Sequence, residues 1–270
     1  MSRFLKFFGF THHPFARRTP KDAVFRHSGF DEALSRLEMS VELDSIAEFI
    51  ADSGCGKSLV LGELAARQQA AGWMVHYFSH TTIGPFGLVN VLARRIGHVP
   101  RRSRGETADA LTTALLEDGR SHLVIVDEAH ELPDQTLQEV RLLTIADYDR
   151  KSPFLLLLAG QPLLHERLGE AIHHALDQRI TTVARLQPLS ADETRAYIQH
   201  RITAAGSSGG SNNKPLFDDG AVDAVFDVSG GIPRRINSFA TGAMIVAASR
   251  KQRMVTAQDV RDSHVDRGRP

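Results

Sequence analysis

The chain has 270 residues, with 32 Lys+Arg against 32 Asp+Glu, so its formal net charge is zero. Apolar residues make up 42% and charged residues 24%, a balance that excludes disorder as the dominant state and gives length for one large domain or a core plus a smaller one. Neutrality excludes a wholly basic nucleic-acid binder, though not a local basic patch, and the single cysteine, Cys55, allows no intramolecular disulfide and fits a reducing compartment.

No stretch approaches the roughly 20 apolar residues that cross a bilayer. The apolar run Phe154–Ala159 is strand length. Met1–Phe10 puts charge among its apolar residues and lacks a small-residue cleavage site, unlike a signal peptide. The expectation is a cytoplasmic protein with no membrane partner.

Residues 1–29 read as an N-terminal basic arm. Arg3, Lys6, Arg17, Arg18, Lys21 and Arg26 stand against Asp22, and Gly9, Pro14 and Pro20 break any long helix, so the arm is expected to be extended. A helix follows from about Phe30 to Leu43, with Leu34, Leu37 and Val41 at helical spacing. Short apolar runs then alternate with helical ones. Strands are expected at 46–50, 73–78, 123–126, 154–159 and 181–186, and helices at 58–71, 87–96, 107–118, 135–148 and 163–169. That alternation specifies an α/β fold, a parallel sheet with helices on both faces. After Pro188 the strands stop. Ser190 with Glu193 forms a capping-box pattern, and helices are expected to about 205, then at 219–228, 233–248 and 257–264. Residues 30–188 thus read as an α/β nucleotide-binding core. Residues 189–270 read as a small helical domain with a flexible Gly/Ser/Asn insert at about 206–215.

The turn Ala51-Asp-Ser53-Gly54-Cys55-Gly56-Lys57-Ser58 lies between a strand and a helix, as a phosphate loop does, with Ala51 in place of the usual first glycine. Such a loop turns backbone N–H groups toward phosphate oxygens, which glycines permit. Ser53, Gly54, Cys55 and Gly56 would line the phosphates, Lys57 would reach the β- and γ-phosphates, and Ser58 would ligate Mg²⁺. Cys55 reads as a small loop residue rather than a nucleophile, and Glu48 is out of place in a buried strand. The strand at 123–126 ends in Asp127 and Glu128, which in a parallel sheet emerge at the same edge as the phosphate loop. Asp127 can hold the Mg²⁺ water shell, and Glu128 can polarise the attacking water. ATP with Mg²⁺ is therefore the expected ligand. No further metal site is expected, because the thirteen histidines, His12-His13 and His173-His174 included, are not paired with Cys or acids at ligand spacing.

Over nearly its whole length the chain resembles a AAA+ ATPase, and more narrowly the ExeA-type group, which includes general-secretion-pathway A ATPases and the target-selecting helper ATPases of transposons. The resemblance rests on Phe8–Phe15, the two nucleotide motifs, Leu158-Ala-Gly-Gln161-Pro162, Asp177-Gln-Arg179-Ile180, Leu186–Ile198 and Gly230-Gly-Ile-Pro-Arg234-Arg-Ile-Asn237. It implies a AAA+ core with a helical lid. It implies Gln161 as the sensor that hydrogen-bonds γ-phosphate or water, against a plain polar strand end. It also implies Arg179 as an arginine finger for a neighbouring subunit, against a surface arginine. Arg234, with Arg235 as alternate, resembles the lid's sensor arginine. Phe10, Pro14 and Phe15 resemble a segment near the adenine, or they anchor the arm. His130, after Asp-Glu-Ala, flanks the site or contacts a neighbour.

Arg94, Arg95, Arg101, Arg102 and Arg104 precede the first acid, Glu106. In the rings of the resembled family this region faces the channel, so the arginines either contact DNA phosphates or form a solvated surface. The implied function is an ATP-dependent transposition helper. It assembles as a homo-oligomer, ring or helical filament, on double-stranded DNA and recruits or activates a transposase. The alternatives are an ExeA-type secretion ATPase and an ATP-binding regulatory switch with weak hydrolysis.

Overall fold

The computed structural model describes residues 3–16, 24–79, 85–145, 152–206 and 215–265. The arm's Arg17, Arg18 and Lys21, and most of the insert at 206–215, lie outside the described residues. The chain divides into two compact units, Ser28–Leu186 and a second made of Met1–His27 with Gln187–Pro270.

The first unit is built on five strands: β1 (Ile46–Ala51), β2 (Met74–Phe78), β3 (His122–Val126), β4 (Leu155–Gly160) and β5 (Ile180–Leu186). All pair in parallel, in the order β2-β3-β4-β1-β5. Every residue of β1, β3 and β4 is buried, which accounts for their mostly apolar runs, whereas the edge strands β2 and β5 carry the exposed Tyr77, Thr181 and Arg185. The helices are α2 (Ser28–Glu42), α3 (Lys57–Ala70), α4 (Pro85–Arg95), α5 (Arg104–Glu117), α6 (Asp134–Leu143), α7 (Pro162–Leu168) and α8 (His174–Asp177). Ile46 and Ile50 join Val124, Val126, Leu156 and Leu158 in the core under α4 to α8. The alternate residues of β1, with the fully buried Phe49, face the other way, where α2 and α3 pack together.

The expected strands form within a residue or two of their predicted limits. Helix α6 ends at Leu143, short of the expected 148, where Thr144 Oγ1 hydrogen-bonds the carbonyl of Arg141. Glu48 is 1% exposed in the middle of β1. Burial pushes its carboxyl up from the usual range, and His165 Nδ1 of α7, 2.9 Å away, offsets part of that cost.

The second unit holds α1 (Arg3–Phe8), α9 (Ala191–Ala204), α10 (Asp219–Ser229), α11 (Pro233–Ser249) and α12 (Ala257–Val265). The Ser190/Glu193 capping box forms at the start of α9. Gly231 holds φ +71° against Leu189, where a Cβ would meet the Leu189 carbonyl oxygen at 1.9 Å, so only glycine fits. Among the described residues the arm is not extended throughout, as its breakers had implied. Its first six described residues form α1, which Gly9 ends at φ +78°. Burial overrides local propensity here. Phe10 and Phe15 enter the helical core, with Phe4 and Phe8 against it. The buried Arg201 donates to the carbonyls of Pro14 at 2.7 Å and Ala16 at 2.8 Å. Phe10, Pro14 and Phe15 are therefore an anchor within the helical unit.

Candidate active site

The sheet order sets which loops can meet. β1 and β3 flank β4, so the segments leaving the carboxyl ends of all three converge at one edge of the sheet. Ala51 is the last residue of β1, paired with Leu186 and 2% exposed, and its backbone is ordinary. The position needs no glycine. The loop turns after it, through Gly54 at φ +96° and Gly56 at φ +113°. Gly56 caps α3 with no side-chain hydrogen bond, and the first amides of a helix have no carbonyl four residues back. A turn of N–H donors thus opens at the positive end of the α3 dipole, a geometry suited to phosphate. Ser53 and Ser58 are exposed beside it, while Cys55 is buried and its N–H bonds the Asp52 carbonyl. Burial, with Asp52 nearby, pushes the Cys55 thiol up to about 11, so it is no nucleophile at neutral pH.

Lys57, the first residue of α3, is 6% exposed and ion-pairs with both Asp127 and Glu128, at 2.7 Å from Glu128 Oε1. Tyr77 Oη donates to Asp127 Oδ2 at 2.6 Å, and the Glu128 N–H donates to Asp127 Oδ1 at 2.9 Å. Burial, with the hydrogen bond to Asp127, raises the Tyr77 phenol, which stays protonated and able to donate. One ammonium facing two carboxylates leaves a net negative charge, a donor set that suits a divalent cation. Glu128 sits at φ +55°, a left-handed conformation that costs on the order of 1 kcal/mol in a non-glycine residue. Gln161 leaves β4, the strand between β1 and β3, and its side chain touches His130. Tyr77 was not legible in the sequence, because only the pairing of Tyr77 with Ile125 and Phe78 with Val126 brings β2's end to Asp127.

Arg179 lies elsewhere. It precedes Ile180, which pairs with Ile46 at the amino end of β1, and it lines a cleft with Asp44, Ser152 and Phe154. The six residues of β1 separate it from the phosphate loop of its own chain by about 20 Å at ~3.3 Å per residue. Arg234 is exposed in the first turn of α11 in the helical unit, and Arg235 is engaged by the Val228 carbonyl at 2.5 Å. The arginine cluster is only partly available. Arg104 pairs with Glu139 at 2.5 Å, and Arg95 donates to the Tyr77 carbonyl at 2.7 Å while lying over the Phe78 ring. The guanidinium groups of Arg94, Arg101 and Arg102 are exposed and make no hydrogen bond or ion pair among the described residues.

Residues 41–168, which span every element of this edge, match the AAA domain family model. General secretion pathway protein A of Aeromonas hydrophila is 35% identical over 147 residues, 54% of this chain and 26% of that protein. The chain thus spans about a quarter of that relative's length. Among solved structures, Cdc6p of Pyrobaculum aerophilum is similar at a TM-score of 0.71 and 18% identity, over 94% of this chain and 70% of that one. The Orc1 protein of Aeropyrum pernix, solved in complex with DNA, is similar at 0.65 and 18%, over 95% and 69%. The fold is shared with these structures, and the residues that match the family model carry the glycine turn, the acid pair and Gln161 at one sheet edge. No helix among the described residues is long and apolar enough to cross a membrane.

Proposed function

We propose that this protein binds ATP with Mg²⁺ and hydrolyses it in an assembly of like copies, each completing the site of the next. The observation that carries this reading is the division of the site. Lys57, Asp127, Glu128 and Gln161 gather at one sheet edge, while Arg179 stands at the opposite edge, beyond reach of its own loop. Lys57 would leave its two carboxylates for the β- and γ-phosphates. Ser58 and Asp127 would then hold Mg²⁺, whose charge offsets that of the phosphates. Glu128 would take a proton from the attacking water, and Arg179 of a neighbour would stabilise the transferring phosphoryl group. A sensor role for Arg234 rests on its Gly-Ile-Pro-Arg motif. The ordinary backbone at Ala51 removes the main argument for a switch with weak hydrolysis.

Glu128→Gln tests this reading. The variant is expected to bind ATP and assemble but to lose at least about a hundredfold in turnover, so that ATP-bound oligomers accumulate in size-exclusion or mass-photometry runs. Hydrolysis at the wild-type rate would remove Glu128 from the chemistry.

Two cellular settings have support. The 35% identity to general secretion pathway protein A supports a secretion role. The exposed Arg94, Arg101 and Arg102 support assembly on double-stranded DNA, the setting in which a helper ATPase recruits or activates a transposase. Guanidinium–phosphate contacts ignore base sequence and weaken steeply with salt. Replacing Arg94, Arg101 and Arg102 together with Ala is expected to flatten the log–log salt dependence of duplex binding, by up to ~0.9 for each phosphate no longer neutralised. ATP-analogue binding should persist. Identical salt slopes would make these arginines a solvated surface and favour the secretion setting.

A further inference from the structure

His130 joins the two side chains on which activation of the water would depend. It lies in the single 3-10 turn Ala129–Glu131 that follows Glu128, and it is 8% exposed. Its Nε2 is 3.0 Å from Gln161 Nε2, and its Nδ1 is 3.7 Å from Glu128 Oε2. The His130 carbonyl accepts from Arg167 at 2.5 Å, and Arg167 also pairs with Asp134, so α7 and the start of α6 pin the turn from outside. β4 ends in Gly160, where a Cβ would stand 3.3 Å from His130 Nδ1 and 2.9 Å from Leu164 Cδ2. The absence of a side chain there makes the seat for the ring.

We propose that His130 is a positioning residue that couples Gln161 to Glu128, an inference that rests on the ATPase reading above. A neutral imidazole has one donor and one acceptor nitrogen. The Gln161 backbone N–H also points at Nδ1, at 3.5 Å, a long contact that belongs to the other tautomer. With the proton on Nδ1 that contact is released, Nε2 accepts from the Gln161 side-chain amide, and the Nδ1 N–H faces the Glu128 carboxylate. Gln161 Oε1 is then left to face the water. The 3.7 Å gap to Glu128 is too long for a hydrogen bond. A small rotation closes it, since the Glu128 side chain is 39% exposed and has room to turn. One ring then sets the orientation of both partners, and a displacement of Gln161 when the γ-phosphate leaves shifts the hydrogen bond offered to Glu128. A histidine buried only to fill space would do neither.

The test is a double-mutant cycle of His130→Ala and Gln161→Ala, with His130→Asn as the conservative variant. It reads kcat, KM, ATP-analogue affinity and melting temperature. Each single variant is expected to lower kcat about tenfold to a hundredfold while analogue affinity changes by less than about threefold. The double variant should be no slower than the slower single one, because both remove the same linkage. His130→Asn should recover part of the kcat lost in His130→Ala, because its amide stands near Nδ1 and can still donate to Glu128. Should His130→Ala fail to fold, the cycle is run with His130→Asn. Multiplying losses in kcat, or a loss confined to affinity or melting temperature, would overturn the coupling while leaving a hydrolysing wild type intact. A wild type that binds the analogue yet turns over no ATP would overturn the ATPase reading, and the coupling with it.

Discussion

Lys57→Ala is expected to abolish ATP binding, with affinity falling at least about a hundredfold, or ~2.7 kcal/mol. Lys57 starts α3 beside the Gly54–Gly56 turn and is the cation ion-paired with Asp127 and Glu128. Removing it deletes the charge that would meet the β- and γ-phosphates. It also leaves two adjacent carboxylates, Asp127 at 4% exposure, facing incoming phosphate with no countercharge from the loop. Both effects act in the same direction. Breaking a buried ion pair costs about 3 kcal/mol, so the melting temperature has to be followed alongside. Isothermal titration with an ATP analogue on the folded variant decides the matter. Wild-type affinity there would remove the phosphate loop from the site.

Arg179→Ala is expected to leave ATP binding within about threefold of wild type while lowering hydrolysis on the order of a thousandfold, the scale of an arginine finger. The strand register is the reason. Ile46 pairs with Ile180 and Ala51 with Leu186, so Arg179 and the phosphate loop stand at opposite ends of neighbouring strands. On the proposed reading, an arginine so placed serves another copy's site. A mixing experiment follows from that geometry. Neither Arg179→Ala nor Lys57→Ala is expected to hydrolyse ATP appreciably alone. Mixed assemblies should regain part of the activity, because Arg179 on the Lys57→Ala copy meets the intact loop of the Arg179→Ala copy. No recovery in mixtures shown to co-assemble would place the catalytic cation elsewhere.

The phosphate loop and the acid pair were legible because their chemistry is local. A glycine-rich turn between strand and helix, and two carboxylates at a strand end, are each written in a few consecutive residues. Glu48 illustrates the limit. In sequence it argues against a buried strand, and the partner that reconciles it with burial, His165, lies 117 residues further on. Tyr77 illustrates it as well, since nothing in Met74–Phe78 marks one residue as a donor to Asp127. The arginines of 94–104 read as a single cluster. Their separation into the engaged Arg95 and Arg104 and the unengaged Arg94, Arg101 and Arg102 depends on where Tyr77, Phe78 and Glu139 come to rest.

By itself the sequence determined the alternation of strands and helices, the change to an all-helical unit after β5, and the glycine turn and acid pair that the fold brings to one sheet edge. Those properties follow from hydrophobic period, glycine placement and capping, which act over a few residues. The tertiary structure alone decided that the N-terminal arm folds as α1 against the helical unit, with Phe10 and Phe15 in its core. It also decided that Arg179 stands a full strand length from the loop of its own chain, and that His130 lies between Gln161 and Glu128. Each of these depends on strand order, on register, or on burial against residues distant in the chain, because packing free energy is summed over neighbours in space and not along the sequence.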